Sequence, residues 1–203
     1  MPRAGLGPDV VATAAAELAD EVGLANVTMT VLAERLGVRT PSLYKHVGGQ
    51  SDLRRRVAVL TLTELGDELR EALQGRGGYD ALTAAATTIR RYAVAHPGRY
   101  AATMRLDLEG QDDPLLVAGS RVIDSLSAVL AGYRVPEENT VHALRTMRSL
   151  FHGFAVLEGA GGFQMDTDVD ESFAWLVAFL HRGLQSAQHG TSAVHPAHRA
   201  EGP

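Results

Sequence analysis

The chain has 203 residues, a formal net charge of -5, aromatics at only 5% and no cysteine. That composition excludes disulfides and thiolate metal sites, and an apolar content dominated by alanine, leucine and valine favours helices packed at close range over a β-sandwich. No apolar run approaches the roughly 20 residues that cross a bilayer, and MPRAGLGPDV lacks the apolar stretch of a secretory leader, so a cytoplasmic all-α protein with no membrane partner is expected.

Residues 9–22, DVVATAAAELADEV, place Val11, Ala14, Ala15, Leu18 and Val22 on one helical face, with Asp9 as a cap and Gly23 as a stop. A second, two-turn helix is expected from Thr28, its N-cap, to Leu36, ended by Gly37. Pro41 fits the first turn of a third helix reaching about His46, because an early helical position has no backbone hydrogen bond to lose. Three short helices with a glycine turn between the second and third describe a helix-turn-helix.

After Gly48-Gly49, Ser51 or Asp52 can cap a longer helix to about Leu73, a rod of roughly 30 Å. Helical patterning resumes at 80–95, restarts near Pro97, and continues from Pro114 to Gly132, from 137 to about 158, and from Asp170 to about 187. The tail from His189 has no apolar periodicity and reads as disordered. The expected organisation is a small helix-turn-helix domain at 1–50, a larger helical domain at 51–188, and a tail at 189–203.

Charge is unevenly spread along this plan. Residues 28–56 carry six basic side chains (Arg35, Arg39, Lys45, Arg54, Arg55, Arg56) against two acidic ones (Glu34, Asp52), and Lys45 is the chain's only lysine. Phosphate attraction depends on such a local surface more than on total charge. On the third helix the polar groups of Thr40, Ser42, Tyr44, Lys45 and His46 surround the inward-facing pair Leu43 and Val47. Hydroxyls, a phenol and an ammonium can reach phosphates and base edges in a major groove. The same pattern also fits a solvated face of a helical interaction protein.

LAERLGVRTPSLYKHVGGQSDLRRRV resembles the N-terminal domain of the tetracycline-repressor (TetR) family, through Leu32-Ala33, Gly37-Val38, Leu43-Tyr44, His46-Val47 and Asp52-Leu53. The resemblance implies that Arg39, Thr40, Pro41, Ser42 and Lys45 face base edges or nearby backbone, and that Thr28, Tyr44 and His46 hold phosphates. Two positions depart from the family pattern: Gln50 stands where a phosphate-contacting lysine is usual, and Ala19 where a large aromatic is common.

A second stretch, MRSLFHGFAVLEGAGGFQMDTDVDESFAWLVAFLHRGL, resembles the WHG-type ligand domain of one branch of that family, with Phe151-His152-Gly153 in place of Trp-His-Gly. It implies a homodimer formed through the last two helices, two recognition helices reaching half-sites of a palindromic operator about one DNA turn apart, and release by a small organic effector. Expected pocket residues are Tyr92, Met104, Leu108, Met147, Phe151 and Trp175, with Arg148 and His152, one turn apart, as polar contacts. A mainly apolar lining favours an uncharged or weakly acidic molecule.

Enzyme and metal chemistry find no comparable pattern. The chain has no G-x-S-x-G elbow and no H-E-x-x-H, and GAGG (159–162) lacks the lysine of a P-loop. DTDVDE (166–171) begins like a calcium loop but has Glu171 where glycine is needed and Val177 where the bidentate glutamate belongs. His142 and His152 are ten residues apart and do not converge around a helix. No catalytic residue, metal or cofactor is expected, and the overall expectation is a ligand-responsive transcriptional repressor.

Overall fold

The computed structural model describes residues 6–104, 108 and 110–187, and every regular element among them is helical. The expected disordered tail at 189–203 lies outside the described residues.

Helix α1 spans Pro8–Val22 with Pro8 in its first turn. Asp9, expected as its cap, lies inside that turn behind Gly7, where its charge still favours the helix's positive end. Helix α2, Met29–Leu36, starts as the sequence predicts: Thr28 Oγ1 accepts the Val31 N–H at 3.2 Å. Gly37, at φ 66, ends it in the left-handed region that glycine adopts without a Cβ penalty. Helix α3, Thr40–Leu43, is a single turn and stops short of the expected His46. A Val47 N–H bond to the Leu43 carbonyl at 3.0 Å nevertheless continues the coil through that stretch. Leu32, Leu43 and Val47 then meet Val11, Ala15 and Leu18 of α1 in one buried cluster.

Helix α4, Gln50–Ala72, is 23 residues long, about 34 Å. Its N-cap is Gly49, at φ 120, so Ser51 and Asp52 sit within the first turn instead of capping it. Asp52 reaches back to accept the Gly48 N–H at 2.8 Å. Along this rod Leu53, Val57, Ala58 and Leu62 enter the cluster of the first three helices, whereas Leu65 and Leu69 enter a second cluster belonging to the rest of the chain. One helix therefore contributes to two cores, and the first core also takes in Ala102, Leu115 and Ala118 from beyond it.

The second core is built by α5 (Gly78–Ala95), α6 (Pro97–Ala101, extended by a 3-10 turn to Met104), α7 (Pro114–Ala131), α8 (Glu137–Gly159) and α9 (Val169–Ala187). Helix α7 is the one described helix long and apolar enough to cross a membrane. It packs along α4, where Gly66 lets the Arg121 stem approach: a Cβ at Gly66 would stand 2.8 Å from the Arg121 Cβ. Arg90 ties three helices together. Its guanidinium donates twice to Glu158 of α8 at 2.6 Å, pairs with Asp170 of α9 at 2.7 Å, and lies 4.7 Å from the Phe173 ring centre. Such a bidentate, ring-stacked arginine fixes orientation in a way a lysine would not.

Candidate nucleic-acid interface and effector cluster

The recognition segment is an outward-facing strip on a sealed base. Leu43 and Val47 are buried, while Arg39, Pro41, Tyr44 and Lys45 are exposed and Thr40, Ser42 and His46 are half-buried. Tyr44 in particular stands 57% exposed, an unusual setting for a large ring with no partner to cover it. Thr28 is exposed as well; its oxygen accepts from Val31, which leaves its hydroxyl proton free to donate outward.

Not all the local positive charge is available at this surface. Arg35 donates to Glu21 at 2.7 and 2.8 Å and lies 3.5 Å from Glu17, which fastens α2 to α1. Arg56 pairs with Asp52 at 2.9 Å, and Arg55 pairs with Asp113, the residue that caps α7. Arg39, Lys45 and Arg54 make no ion pair among the described residues. The excess that the sequence displays thus narrows to a few side chains on or beside the recognition segment. Gln50 has a different task from the lysine it replaces: its side-chain amide donates to the Val27 carbonyl at 2.5 Å, bracing the start of α4 against the entry to α2.

In the larger body, Tyr92, Met147 and Phe151 do come together in the buried core, with Met147 and Phe151 at 0% exposure. His152 is half-buried and its Nδ1 is sealed from solvent with no hydrogen-bond partner, while Arg148, one turn earlier, is exposed. Met104 and Leu108 are both exposed. Trp175 corrects the sequence reading: it is 64% exposed and stacks on Phe179, on the side of α9 away from the inward residues Phe173, Val177, Leu180 and Leu184. Helix α9 has two apolar faces, and the tryptophan is on the outer one. With Phe179 it leaves a stacked pair of rings uncovered on α9, beside a groove of about 320 Å³ between α8 and α9 lined by Leu150, Phe179 and Leu184.

The sequence did not disclose the joint between the two regions. A Cβ at Gly98 of α6 would fall 1.8 Å from the Ala19 carbonyl oxygen of α1, so the two backbones touch. Next to this contact Asp20 of α1 accepts the Arg99 backbone N–H at 2.8 Å and its Nε at 2.7 Å, and lies 3.1 Å from His96 Nδ1. Arg99 also reaches Glu64 of α4 at 3.1 Å, and Glu64 accepts the Tyr92 hydroxyl at 2.5 Å. Burial, followed by that bond to Glu64, holds the Tyr92 phenol well above its ordinary pKa, so it remains a donor. A polar chain thus runs from a core tyrosine of the body to the first helix of the head. Only the small residue at Ala19, where the family pattern has an aromatic, hinted at such a close approach.

The comparisons with known proteins agree with both halves of this architecture. Residues 12–57 match the family described as bacterial regulatory proteins, tetR family, and residues 82–180 match the tetracyclin repressor-like C-terminal domain. The chain is 32% identical over 185 residues to YobS, an uncharacterized HTH-type transcriptional regulator of Bacillus subtilis, covering 90% of this chain and 95% of that protein. It is 35% identical over 192 residues to Rv0681, another such regulator, of Mycobacterium tuberculosis, covering 94% of this chain and 87% of that one. Among solved structures, the TetR regulator SCO7222 of Streptomyces coelicolor aligns with a TM-score of 0.71 at 20% identity, covering 90% of this chain and 99% of that one. A TetR variant from Acinetobacter baumannii AYE in complex with minocycline aligns at 0.68 and 23%, covering 90% and 98%. A head that presents an exposed, polar helix-turn-helix, matched along nearly its whole length to named regulators, makes the chain a member of the TetR family of helix-turn-helix transcriptional regulators.

Proposed function

We propose that the protein is a homodimeric repressor that binds a palindromic operator in the cytoplasm and is released by a small organic effector. The observation that carries this reading is the pairing of two uncovered surfaces: a polar recognition strip on the head and, on the body, the exposed stacked rings of Trp175 and Phe179 beside the groove between α8 and α9. Large exposed apolar rings are costly in water and mark an interaction surface. A second copy seated on α8 and α9 by a twofold axis would bury them and present two recognition strips to half-sites about 34–36 Å apart. The base-facing set is Arg39, Thr40, Pro41, Ser42 and Lys45, with Thr28, Tyr44 and His46 on phosphates.

An effector in the body would act through the joint. Because Tyr92, Glu64, Arg99 and Asp20 are linked in series, a ligand that moves α5 or α6 moves α1 with it. Differential affinity for the two head spacings is then sufficient to shift the dimer off DNA. A TetR of the same fold holding minocycline supports the idea that such a body can take a small organic molecule.

The test combines sedimentation with gel retention of the DNA upstream of the protein's own gene. The wild type should sediment as a dimer and retain that DNA in a salt-dependent manner. Trp175→Glu should give a folded monomer with much weaker retention. A wild-type monomer at micromolar concentration, or retention that survives in the monomeric variant, would overturn the dimeric reading.

A further inference from the structure

We infer that Tyr100, Arg148 and His152 form the polar end of the effector site, and that the effector is an organic monoanion, a carboxylate on an apolar body. This rests on the effector-responsive reading above and narrows it to one chemical class.

The starting point is an unmet hydrogen bond. Four buried polar side chains elsewhere have partners: Thr61 donates to the Val57 carbonyl, Thr103 to the Tyr100 carbonyl, Asp113 accepts from Leu115, and Arg99 is held by two carboxylates. His152 Nδ1 does not, although it is sealed from solvent. An orphaned buried polar atom costs about 1–3 kcal/mol, and one that persists calls for an explanation. Thr83 Oγ1 is orphaned too, but a lone hydroxyl carries no charge with which to select a ligand.

His152 has company. The Tyr100 ring of α6 lies 5.8 Å from its imidazole, tilted by 33°, and the Tyr100 hydroxyl makes no hydrogen bond among the described residues. Arg148 is one helical turn before His152 on α8, and it too has no ion pair there, in contrast to Arg35, Arg55, Arg56, Arg90, Arg99 and Arg121. Three neighbouring groups capable of donating to one acceptor therefore have no protein acceptor among the described residues.

Their charges select the ligand. Burial and then the Arg148 charge both hold the His152 pKa below its ordinary 6.5, so the ring is neutral at pH 7. Burial keeps the Tyr100 phenol protonated despite the opposing pull of Arg148. The cluster carries a single positive charge. A monoanion balances it, and a dianion such as phosphate would leave one negative charge uncompensated in a partly buried site. A carboxylate can accept from the Arg148 guanidinium, the Tyr100 hydroxyl and His152 in its Nδ1–H tautomer. The residues next along α8, Met147 and Phe151, belong to the apolar core, so the remainder of the molecule meets hydrocarbon.

The experiment is calorimetric titration of the full-length dimer with carboxylates from benzoate to decanoate, each paired with its primary amide. Arg148→Gln is an exposed change and Tyr100→Phe keeps the ring, so both variants should fold. At least one acid should bind, its amide should bind about tenfold more weakly or worse, and each variant should lose about tenfold in acid affinity while retaining operator DNA as well as the wild type in the absence of acid. Equal binding of acid and amide, full acid affinity in Arg148→Gln, or no binding by any acid in the series would overturn the proposal. Binding that depends on Arg148 and Tyr100 but leaves DNA retention untouched would uphold the anion site and refute its role as effector site. DNA release by a neutral molecule with no acid binding would do the reverse.

Discussion

In the head, Tyr44 and Lys45 stand in solvent between Leu43 and Val47, which are sealed beneath them; in the body, Met147 and Phe151 are sealed while, among the described residues, Arg148 has no ion pair and His152 Nδ1 no hydrogen bond. The head separates its two tasks, apolar residues holding the fold and polar residues facing outward. The body interleaves them along successive residues of one helix. A DNA-reading surface can be complete before its target arrives, because water satisfies its donors in the meantime. A polar atom sealed from water, such as His152 Nδ1, has no such substitute, so in the proposed site it would stay unsatisfied until a ligand supplied a partner.

Parallel aromatic truncations give this contrast its largest measurable form. Phe151→Ala should cost about 4 kcal/mol in chemical denaturation, because a fully buried ring leaves a cavity. Equal stability of variant and wild type would mean the body's core is far looser than its burial indicates. Next in size is the joint: Arg99→Met removes the partner of Asp20 and Glu64 and should cost about 3 kcal/mol at pH 7, with weaker operator binding. If stability falls but operator binding per folded dimer is unchanged, the joint holds the fold together without setting the heads.

In the head the same kind of truncation should behave differently. Tyr44→Ala should leave stability within about 0.5 kcal/mol, yet lower operator retention at least about tenfold by gel shift. A large loss of stability would place that ring in the core after all. The smallest effect concerns pH. His152 has a lowered pKa in the fold, so the unfolded chain takes up the proton first as pH falls below 6.5, and stability declines through that window toward the folded value. His152→Gln should reduce that decline between pH 7.5 and 5.5 in denaturant titrations; an identical slope would show that His152 titrates alike in both states.

Much of the helical layout was readable because its signals are local. Thr28, Gly37, Pro97 and Pro114 mark ends through their own backbone chemistry, and the structure puts helix boundaries at or beside each. The caps assigned to Asp9, Ser51 and Asp52 shifted into first turns because the preceding glycines could take the cap conformation, a choice that side-chain preference alone does not determine. Trp175 was assigned inward because a helix with two apolar faces gives a periodicity that fits either. Arg99 and Asp20 are 79 positions apart, and nothing in the local pattern of either foretells the bond. Arg148 and His152 were recognisable as a pair by their spacing of one turn, but Tyr100, their neighbour from another helix, was not.

The backbone contact between Gly98 and Ala19 also bears on building hybrid regulators. A designer who transplants this DNA reader onto another sensor inherits a seam cut for one particular mate. A sensor bringing any side chain at the place of Gly98 would drive its Cβ into the Ala19 carbonyl, and the halves could not close as they do here. Interchangeability is therefore set at the seam, and the glycine has to travel with this reader.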